Sequence, residues 1–437
     1  MSFFKEHQHI VIGQAPGRMD VMGGIADYSG SLVLQMPIQE IATVQAAFRQ
    51  DGLFRIHSTM LNQTIEIKVA DLPKSYEESR SFFAKQESGH WIAYILGCLI
   101  VLKKEKSNAF KKVQKGIDFW LESTVPLGKG VSSSAAIEIA TMRALAQLYA
   151  IEFQGTDIAV LAQKTENLVV GAPCGLMDQL ACSFGKDAHL LPILCQPDKL
   201  FPLIPLPKEL NFVGIDSGIH HAVSAASYGD VRTATFMGYT IIAIANGCSI
   251  SEIQEAKKSG LWESLPYHGY LCNITPTQLA KIYLELLPQN IKGKDFLALY
   301  GDSIDIVTEI LPEREYKVRA CTKHPIMENY RVHQYRNILQ TANQNKQGLT
   351  TTDLQLLGEL MYQSHSSYTM CGLGNAYTDE IVQLVKETNP TSGLYGAKIT
   401  GGGSGGTVCV LCYGEQGLAA VQKLRQKFQE KFGNEVM

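Results

Sequence analysis

An excess of charge of either sign is missing from this 437-residue chain, because 39 lysines and arginines face 42 aspartates and glutamates. The resulting formal charge of -3 offers no broad electrostatic attraction to nucleic acid or to anionic lipid. The N-terminal letters MSFFKEHQHI contain no basic segment followed by an apolar stretch, so we expect no secretory signal. These absences predict a cytoplasmic protein with no nucleic-acid or membrane partner.

Long apolar segments and an ordered cysteine pattern are also absent. The longest uncharged apolar run, Trp91 to Leu102, is shorter than the ~20 residues that a membrane-spanning helix needs and predicts a core helix. Ten scattered cysteines without a secretory context favour reduced thiols over a disulfide framework. Cys409 and Cys412 have C-x-x-C spacing, but they stand in TVCVLC, a run typical of a buried strand whose residues three apart point to opposite faces. We therefore expect no zinc site there.

The predicted elements come in the order strands, then helices, then a mixture of both. Ser31–Pro37 and Ile41–Phe48 are predicted as separate strands, and Arg18, Asp20 and Asp27 are placed in a loop between strands. The proline-bearing segment LFPLIPLPKEL is the best boundary, which divides the chain into domains 1–205 and 206–437. Segregated elements of this kind indicate the α+β class. Residues 249–316 carry no motif that can be interpreted.

The sharpest local feature is PLGKGVSSSAA, residues 126–136, a glycine turn that leads into three serines at the start of a helix. The free N–H groups of a helix start, and the close approach that glycines permit, suit a polyphosphate. A single serine would be read as a helix cap. Three serines together with Gly128, Lys129 and Gly130 favour anion binding, and the hydroxyl groups could also reach a hydrated Mg²⁺.

A second glycine segment, Gly401–Gly406, reads GGGSGG and formally satisfies G-x-G-x-x-G. That dinucleotide-binding fingerprint needs a helix directly after it, whereas the strand-like TVCVLC follows here. Five glycines in six residues weaken folding unless the backbone must pass close to something. We therefore predict a turn between strands that brings its backbone against another element.

Two carboxylates are candidates for phosphoryl transfer, which needs metal to offset charge and often a carboxylate to accept a proton. Glu166 lies on a predicted helix, where a solvated carboxylate is the commoner interpretation. Asp178 has the apolar neighbours Leu176 and Met177, which predict partial burial. A buried carboxylate is costly unless it is paired, so we expect a cation such as Arg18 nearby.

Four segments, in this order, resemble the GHMP kinase family, which includes galactokinase, homoserine kinase and mevalonate kinase. They are APGRMDVMGGIADYSG, PLGKGVSSSAA, TENLVVGAPCGLMDQ and KITGGGSGG. The resemblance covers nearly the whole chain and implies two domains with mixed and antiparallel sheets and helices packed on them. It also implies an N-terminal nucleotide-binding domain, an active site in the cleft between the domains, and ATP and Mg²⁺ as cofactors.

The resemblance further implies a role for individual residues. Asp178 would act as the base toward the anomeric hydroxyl of a sugar, with Arg18 keeping it ionised. Ser134, or Ser133 in its place, would hold Mg²⁺ together with Glu166. The nucleotide contacts would be Gly128, Lys129, Gly130, Ser132, Ser133, Ser134, Ala135, Gly402 and Gly403. The sugar contacts would be Asp27, Gly24, Ile25, Gly175 and Tyr228, the last within HHAVSAASYGDVR.

One departure from the family pattern bears on the substrate. Galactokinases carry Gly-Glu-His-x-Asp-Tyr in the first segment, and the Glu-His pair addresses the C6 hydroxyl of galactose. Gly24 and Ile25 hold those two places, and neither side chain can make a hydrogen bond. L-Arabinopyranose is galactose without its C6 hydroxymethyl group, so the resemblance predicts phosphorylation of L-arabinose to L-arabinose 1-phosphate.

Two alternatives stay open. The chain could be a galactokinase or another sugar 1-kinase that recognises C6 with other residues, or a regulator that binds ATP and sugar without turnover. The intact serine segment, with Glu166 and Asp178, argues against the silent regulator. We expect a monomer or a small homo-oligomer.

Overall fold

The computed structural model describes residues 3–6, 8–85, 90–110, 115–172, 174–219, 225–345, 348–388 and 390–433, with only the backbone at 225–227 and 390. The first part of HHAVSAASYGDVR, residues 220–224, lies outside the described residues. The strands are β1 (Val11–Met22), β2 (Leu32–Arg49), β3 (Leu53–Ser58), β4 (Gln63–Lys68), β5 (Gly116–Ser123), β6 (His189–Leu194), β7 (Lys199–Leu200), β8 (Ile204–Pro205), β9 (Leu210–Asp216), β10 (Ile291–Lys292), β11 (Glu315–Tyr316), β12 (Leu394–Ile399) and β13 (Thr407–Tyr413).

The helices complete the described structure. The α-helices are α1 (Tyr76–Ala84), α2 (Ala93–Glu105), α3 (Ser133–Tyr149), α4 (Asp157–Lys164), α5 (Met177–Phe184), α6 (Ala225–Ala245), α7 (Ile250–Ser259), α8 (Pro276–Gln278), α9 (Gly293–Tyr300), α10 (Val318–Gln344), α11 (Thr351–Cys371), α12 (Ala376–Glu387) and α13 (Gly414–Phe432). Shorter turns include the 3-10 helix Asp27–Ser29 and the π-helix Thr165–Val170.

The fold divides into two compact units, neither of them continuous in sequence. The first unit consists of Met1–Arg18, Pro37–Leu127 and Ser132–Asp187. The second unit consists of Met19–Met36, Gly128–Val131 and Ala188–Met437. Strands β1 and β2 contribute to both units, because each passes from one to the other along its length. The domain boundary after residue 205 stays a prediction.

The first unit combines a sheet with a layer of helices. Its strands follow the order β4-β3-β5-β2, in which β3 pairs antiparallel with β4 and parallel with β5, and β5 pairs antiparallel with β2. Helices α2, α3, α4 and α5 pack against one another, and α1 packs on the π-helical turn Thr165–Val170. Every residue from Ile95 to Leu102 is buried, which confirms the predicted core helix.

The second unit contains a three-stranded antiparallel sheet in the order β12-β13-β9. Helices α11, α12 and α13 pack on this sheet, and α6, α10 and α11 form a further helical core. The start of β2 pairs antiparallel with β6. Cys409 and Cys412 are buried free thiols in β13, as the buried-strand interpretation predicts.

Two local predictions were wrong. Arg18 and Asp20 do not lie in a loop, because β1 continues through them to Met22. The two strands expected at Ser31–Pro37 and Ile41–Phe48 are one strand, β2. Pro-Gly sequences favour turns locally, but pairing of β1 with β2 overrides that preference here.

None of the helices in the described part of the chain combines the length and the apolar character that a bilayer crossing demands.

Candidate active site

Asp178 lies in the first turn of α5 and is held by Arg18 of β1, both within the first unit. The Arg18 Nε donates to Asp178 Oδ1 at 2.9 Å, and Nη2 donates to Oδ2 at 3.0 Å. The arginine side chain is 3% exposed and the aspartate side chain 25% exposed. The predicted cation beside Asp178 is therefore confirmed. This bidentate pair fixes the plane of a carboxylate that still reaches solvent.

Ser132 directs Asp178 toward the start of α3. It precedes the first helical residue with a left-handed backbone, at φ 57° and ψ 49°, and its side chain makes no capping hydrogen bond. Its Oγ instead donates to Asp178 Oδ2 at 2.6 Å. A non-glycine residue in this conformation stores strain, which is common where a side chain is aimed at a functional group. The Ser132 hydroxyl therefore serves the carboxylate and not the helix end.

Glu166 is not a solvated helix carboxylate. It lies in the π-helical turn Thr165–Val170 that continues α4, and only 7% of the residue is exposed. Its Oε2 accepts a hydrogen bond from Gln179 Nε2 at 2.7 Å. Burial first, and then the charge of Asp178, raise the pKa of Glu166 to about 7, against a smaller lowering by the Ser134 hydroxyl. Single π-turns often mark functional sites.

A third carboxylate, Glu138 on α3, belongs to the same cluster and was not predicted. It is fully buried, and its Oε2 accepts from Gln179 Nε2 at 3.3 Å while its Oε1 has no hydrogen-bond partner among the described residues. Burial, followed by the charge of Glu166, raises its pKa well above the usual range. Ser134 and Glu138 are four residues apart and so share a helix face, which is a signal that could have identified it.

The Ser134–Glu166 pair fits a Mg²⁺ ion. The Glu166 carboxylate and the Ser134 hydroxyl, which hydrogen-bonds to it, are oxygen ligands of the kind that Mg²⁺ binds. Among the described residues, no group of three or more His, Cys, Asp or Glu side chains could hold a metal ion. A magnesium ion here would therefore rely on few protein oxygens and on water and phosphate oxygens, as Mg²⁺ at nucleotide sites usually does.

A cavity of about 190 Å³ opens beside the serines of α3, within the first unit. The residues that line it are Ser58, Met60, Leu61, Trp91, Tyr94, Leu121, Leu127, Ser133, Ser134 and Ile137. The Trp91 Nε1 donates to Gln63 Oε1 at 2.9 Å, which fixes the orientation of the indole ring. Flat aromatic and apolar walls suit a heterocyclic base. The sequence assigned Trp91 and Tyr94 only to a core helix and did not predict that they line a cavity.

The loop after β1 carries three of the predicted sugar contacts, in the second unit. Asp27 starts a 3-10 turn and is 6% exposed. Ile25 is 2% exposed and has a left-handed backbone with φ 52°. A Cβ on Gly24 would lie 1.9 Å from Tyr368 Oη and 2.4 Å from Asp20 Oδ2. Glycine is therefore the residue that this packing requires at position 24.

Helices α10 and α11 hold this loop through buried polar side chains. The Gly24 carbonyl can only accept, so His324 Nε2 donates to it at 3.0 Å, and the His324 Nδ1 accepts from Ser367 Oγ at 2.8 Å. Burial lowers the pKa of His324 to about 4, which agrees with this neutral form. The Glu328 Oε1 accepts from the Gly23 N–H at 3.1 Å. Nothing in the local sequence marked these helix residues.

The glycine-rich turn between β12 and β13 packs on the backbone of residues 129 and 130, within the second unit. A Cβ on Gly401 would lie 2.5 Å from the Gly130 carbonyl oxygen, and one on Gly406 would lie 2.7 Å from that of Lys129. The Thr407 N–H donates to the Lys129 carbonyl at 2.9 Å. This confirms the prediction of a turn between strands whose backbone must approach another element closely.

The predicted site residues are divided between the two units. The first unit contains Arg18, Ser132, Ser133, Ser134, Ala135, Glu166, Gly175 and Asp178. The second unit contains Gly24, Ile25, Asp27, Gly128, Lys129, Gly130, Tyr228, Gly402 and Gly403. In the second unit, Lys129 Nζ lies 2.9 Å from Asp216 Oδ2.

Two segments of the chain match domains of a known protein family. Residues 93–186 match the GHMP kinases N terminal domain, and residues 345–433 match the GHMP kinases C terminal domain. The chain has the two domains of a GHMP kinase. The first match includes the α3 serines, Glu166 and Asp178, and the second includes α11 and the glycine-rich turn.

Individual relatives agree with this assignment. The chain is 39% identical to L-arabinokinase of Arabidopsis thaliana over 96% of its own length, but it spans only 44% of that relative. It is 26% identical to a galactokinase of Streptomyces coelicolor, over 91% of this chain and 83% of the relative.

Solved structures show the same fold. A Lactococcus lactis galactokinase complexed with galactose superposes with a TM-score of 0.72 at 20% identity, over 99% of this chain and 92% of that one. A Methanococcus jannaschii mevalonate kinase gives 0.57 at 15% identity, over 98% and 96%. These likenesses confirm the α+β architecture.

Proposed function

We propose that this GHMP kinase transfers the γ-phosphate of ATP to a hydroxyl group of a sugar. The observation that carries the proposal is the Asp178 carboxylate, which accepts hydrogen bonds from two nitrogens of Arg18 and from Ser132 at the start of α3. Phosphoryl transfer requires a positioned acceptor, stabilisation of charge and often a carboxylate that takes the acceptor's proton. Asp178 is partly exposed, so it can receive that proton while Arg18 holds its orientation.

The first unit offers a separate place for each part of the nucleotide. The N–H groups at the start of α3 would bind phosphate oxygens, since a helix N-terminus attracts anions. The cavity beside Ser133 and Ser134, with Trp91 and Tyr94 in its wall, would hold the adenine ring. Arg18 would offset the negative charge that develops on the transferred phosphoryl group.

Ser134 and Glu166 would hold the Mg²⁺ ion, which neutralises charge on the nucleotide phosphates when it is bound. Gln179 would keep Glu166 in place, because its amide group donates to this carboxylate at 2.7 Å. Asp178, one residue earlier on α5, is held by different partners, Arg18 and Ser132.

L-Arabinose is the proposed sugar. Gly24 and Ile25 offer no hydrogen-bonding side chain, and the Tyr368 hydroxyl fills the space in which a side chain at position 24 would start. The 39% identity to a protein named L-arabinokinase supports the same substrate. A site without partners for an extra hydroxyl group rejects it by only ~10²-fold, so we expect measurable phosphorylation of galactose.

An activity panel tests the proposal. The purified chain would be incubated with ATP, Mg²⁺ and a series of pentoses and hexoses, and the products would be identified by NMR. L-Arabinose 1-phosphate as the main product supports the proposal, and a k꜀ₐₜ/KM for galactose equal to or above that for L-arabinose would replace the arabinose assignment by a galactokinase. Binding of ATP and sugar without any product would indicate the silent regulator.

We also propose that the protein works in the cytoplasm, as a monomer or a small homo-oligomer. Fluorescence microscopy of a tagged chain in its host cell and light scattering of the purified protein would test these two statements. A membrane-bound or secreted pool, or a large assembly, would contradict them.

A further inference from the structure

A buried ion pair joins α6 to the segment 249–316, for which the sequence offers no interpretation. Arg232 lies one helical turn after Tyr228. Its Nε donates to Asp305 Oδ2 at 2.9 Å and its Nη2 to Asp305 Oδ1 at 2.8 Å. The two side chains are 7% and 0% exposed. Both charges are therefore almost completely removed from water, and each depends on the other.

Asp305 is itself fixed by the backbone that follows it. Its Oδ1 accepts from the Val307 N–H at 3.2 Å, and its Oδ2 accepts from the Thr308 N–H at 3.2 Å and from Thr308 Oγ1 at 2.6 Å. With the two bonds from Arg232, these contacts use the acceptor capacity of the carboxylate. The pair consequently holds the guanidinium group in one orientation.

The guanidinium group faces Tyr28, which follows the proposed sugar contact Asp27 in the chain and packs against another, Tyr228. Its Cζ is 5.3 Å from the centroid of the Tyr28 ring, and Tyr28 meets Tyr228 edge-on at 6.2 Å between ring centroids. Burial alone would lower the pKa of Arg232, but its pairing with Asp305 raises it, and the charges of Tyr228 and Asp27 add smaller contributions in the same direction. A buried arginine with five N–H donors thus faces the 3-10 turn Asp27–Ser29 through the Tyr28 ring, within the same unit.

We propose that Asp305 holds the Arg232 side chain away from Asp27, so that this ion pair is a positioning element for sugar binding. Without Asp305, the buried guanidinium would lose its bidentate partner, and Asp27 offers another carboxylate in the same turn as Tyr28, whose ring the guanidinium already faces. Pairing with Asp27 would then compete with the sugar hydroxyl groups for the same oxygens. The inference rests on the proposed function, in which Asp27 and Tyr228 contact the sugar.

The substitution Asp305→Asn tests this competition, because it keeps the shape of the side chain and removes its charge. We expect the KM for the sugar to rise about tenfold, the equivalent of one hydrogen bond to a charged group, with k꜀ₐₜ and the KM for ATP nearly unchanged. The double substitution Arg232→Met with Asp305→Leu removes the guanidinium as well, and should bring the sugar KM back close to the wild-type value.

A matched control lies three residues earlier in the same segment. Asp302 pairs with Lys257, but its side chain is 41% exposed. Asp302→Asn should therefore leave all kinetic constants unchanged. If Asp305→Asn does not fold, Thr308→Val removes the hydroxyl group that donates to Asp305 and accepts from Thr233 Oγ1, and a smaller rise in the sugar KM is expected.

Three results would overturn the inference. They are an unchanged sugar KM in folded Asp305→Asn, an equal rise in the sugar KM of the double variant, or a parallel rise in the KM for ATP with a lower melting temperature. The last two would mean that the pair only supports the fold. If the wild-type protein phosphorylates no sugar, the proposed function is wrong and this inference is wrong with it. If the wild type is active and any of the three results is found, only the inference is refuted.

Discussion

Replacing Gly24 by alanine should destabilise the protein through one identifiable clash. The new Cβ would lie 1.9 Å from Tyr368 Oη and 2.4 Å from Asp20 Oδ2, both far inside van der Waals contact. Neither neighbour can move away easily. Tyr368 is fully buried and its hydroxyl donates to the Gly401 carbonyl at 3.0 Å, while Asp20 Oδ2 accepts from the buried Lys398 Nζ at 2.7 Å.

The magnitude follows from these contacts. Forcing an extra methyl group into a closed core typically costs about 1–3 kcal/mol of unfolding free energy. If Tyr368 turns aside, the hydrogen bond to Gly401 is lost and leaves a buried carbonyl, which costs a further ~1–3 kcal/mol. We expect Gly24→Ala to incur most of both free-energy costs. It should therefore be among the more damaging single substitutions in the second unit.

Urea unfolding followed by circular dichroism would measure this effect in a double-mutant cycle. Tyr368→Phe removes the clashing oxygen, so Gly24→Ala in that background should cost at least ~1 kcal/mol less than in the wild type. Fully additive effects, or a stable Gly24→Ala protein, would refute the packing argument. A double variant, Gly24→Glu with Ile25→His, should shift the substrate preference toward galactose. For the same packing reason, it should also need a smaller residue at position 368.

Three further predictions concern the base, the nucleotide and pH. Asp178→Asn should lower k꜀ₐₜ by ~10² to 10⁴ in steady-state assays and leave the sugar KM nearly unchanged; an active variant would make Asp178 a positioning group. Trp91→Ala should raise the KM for ATP about tenfold and not that for the sugar, and equal changes in both would contradict the cavity's role. Burial lowers the pKa of His324 to about 4, so the unfolded chain takes up its proton first. As the pH drops from ~6.5 to 4, the free energy of unfolding should therefore decrease by about 3 kcal/mol. Urea unfolding of His324→Gln over the same pH range should show a weaker dependence on pH.

The sequence predicted best what depends on neighbouring letters. The serine turn, the glycine-rich turn and the pairing of Arg18 with Asp178 follow from residue types whose needs are local: helix-start N–H groups, backbone space and a partner for a carboxylate. Glu138 was within reach by the same reasoning, because it lies one turn after Ser134 on α3. The sequence did not predict that β1 continues to Met22, because pairing with β2, and not the local residue types, determines where this strand ends.

The support of the Gly24 loop could not be predicted in this way. His324, Glu328 and Tyr368 lie about 300 or more positions from the loop in sequence and read as ordinary helix residues. Their polar groups acquire a role only when α10 and α11 pack against residues 23 and 24. Sequence spacing carries no information about such contacts, which depend on how distant elements come together.

The ratio of k꜀ₐₜ/KM for L-arabinose to that for galactose tests the central claim most directly, measured on the intact protein with ATP and Mg²⁺ and with the phosphate located on the anomeric carbon. A sugar kinase with no partner for the C6 hydroxyl should give a ratio above one and up to ~10². A ratio of one or less would contradict the assignment to L-arabinose, and the absence of any phosphorylated sugar would contradict the kinase itself.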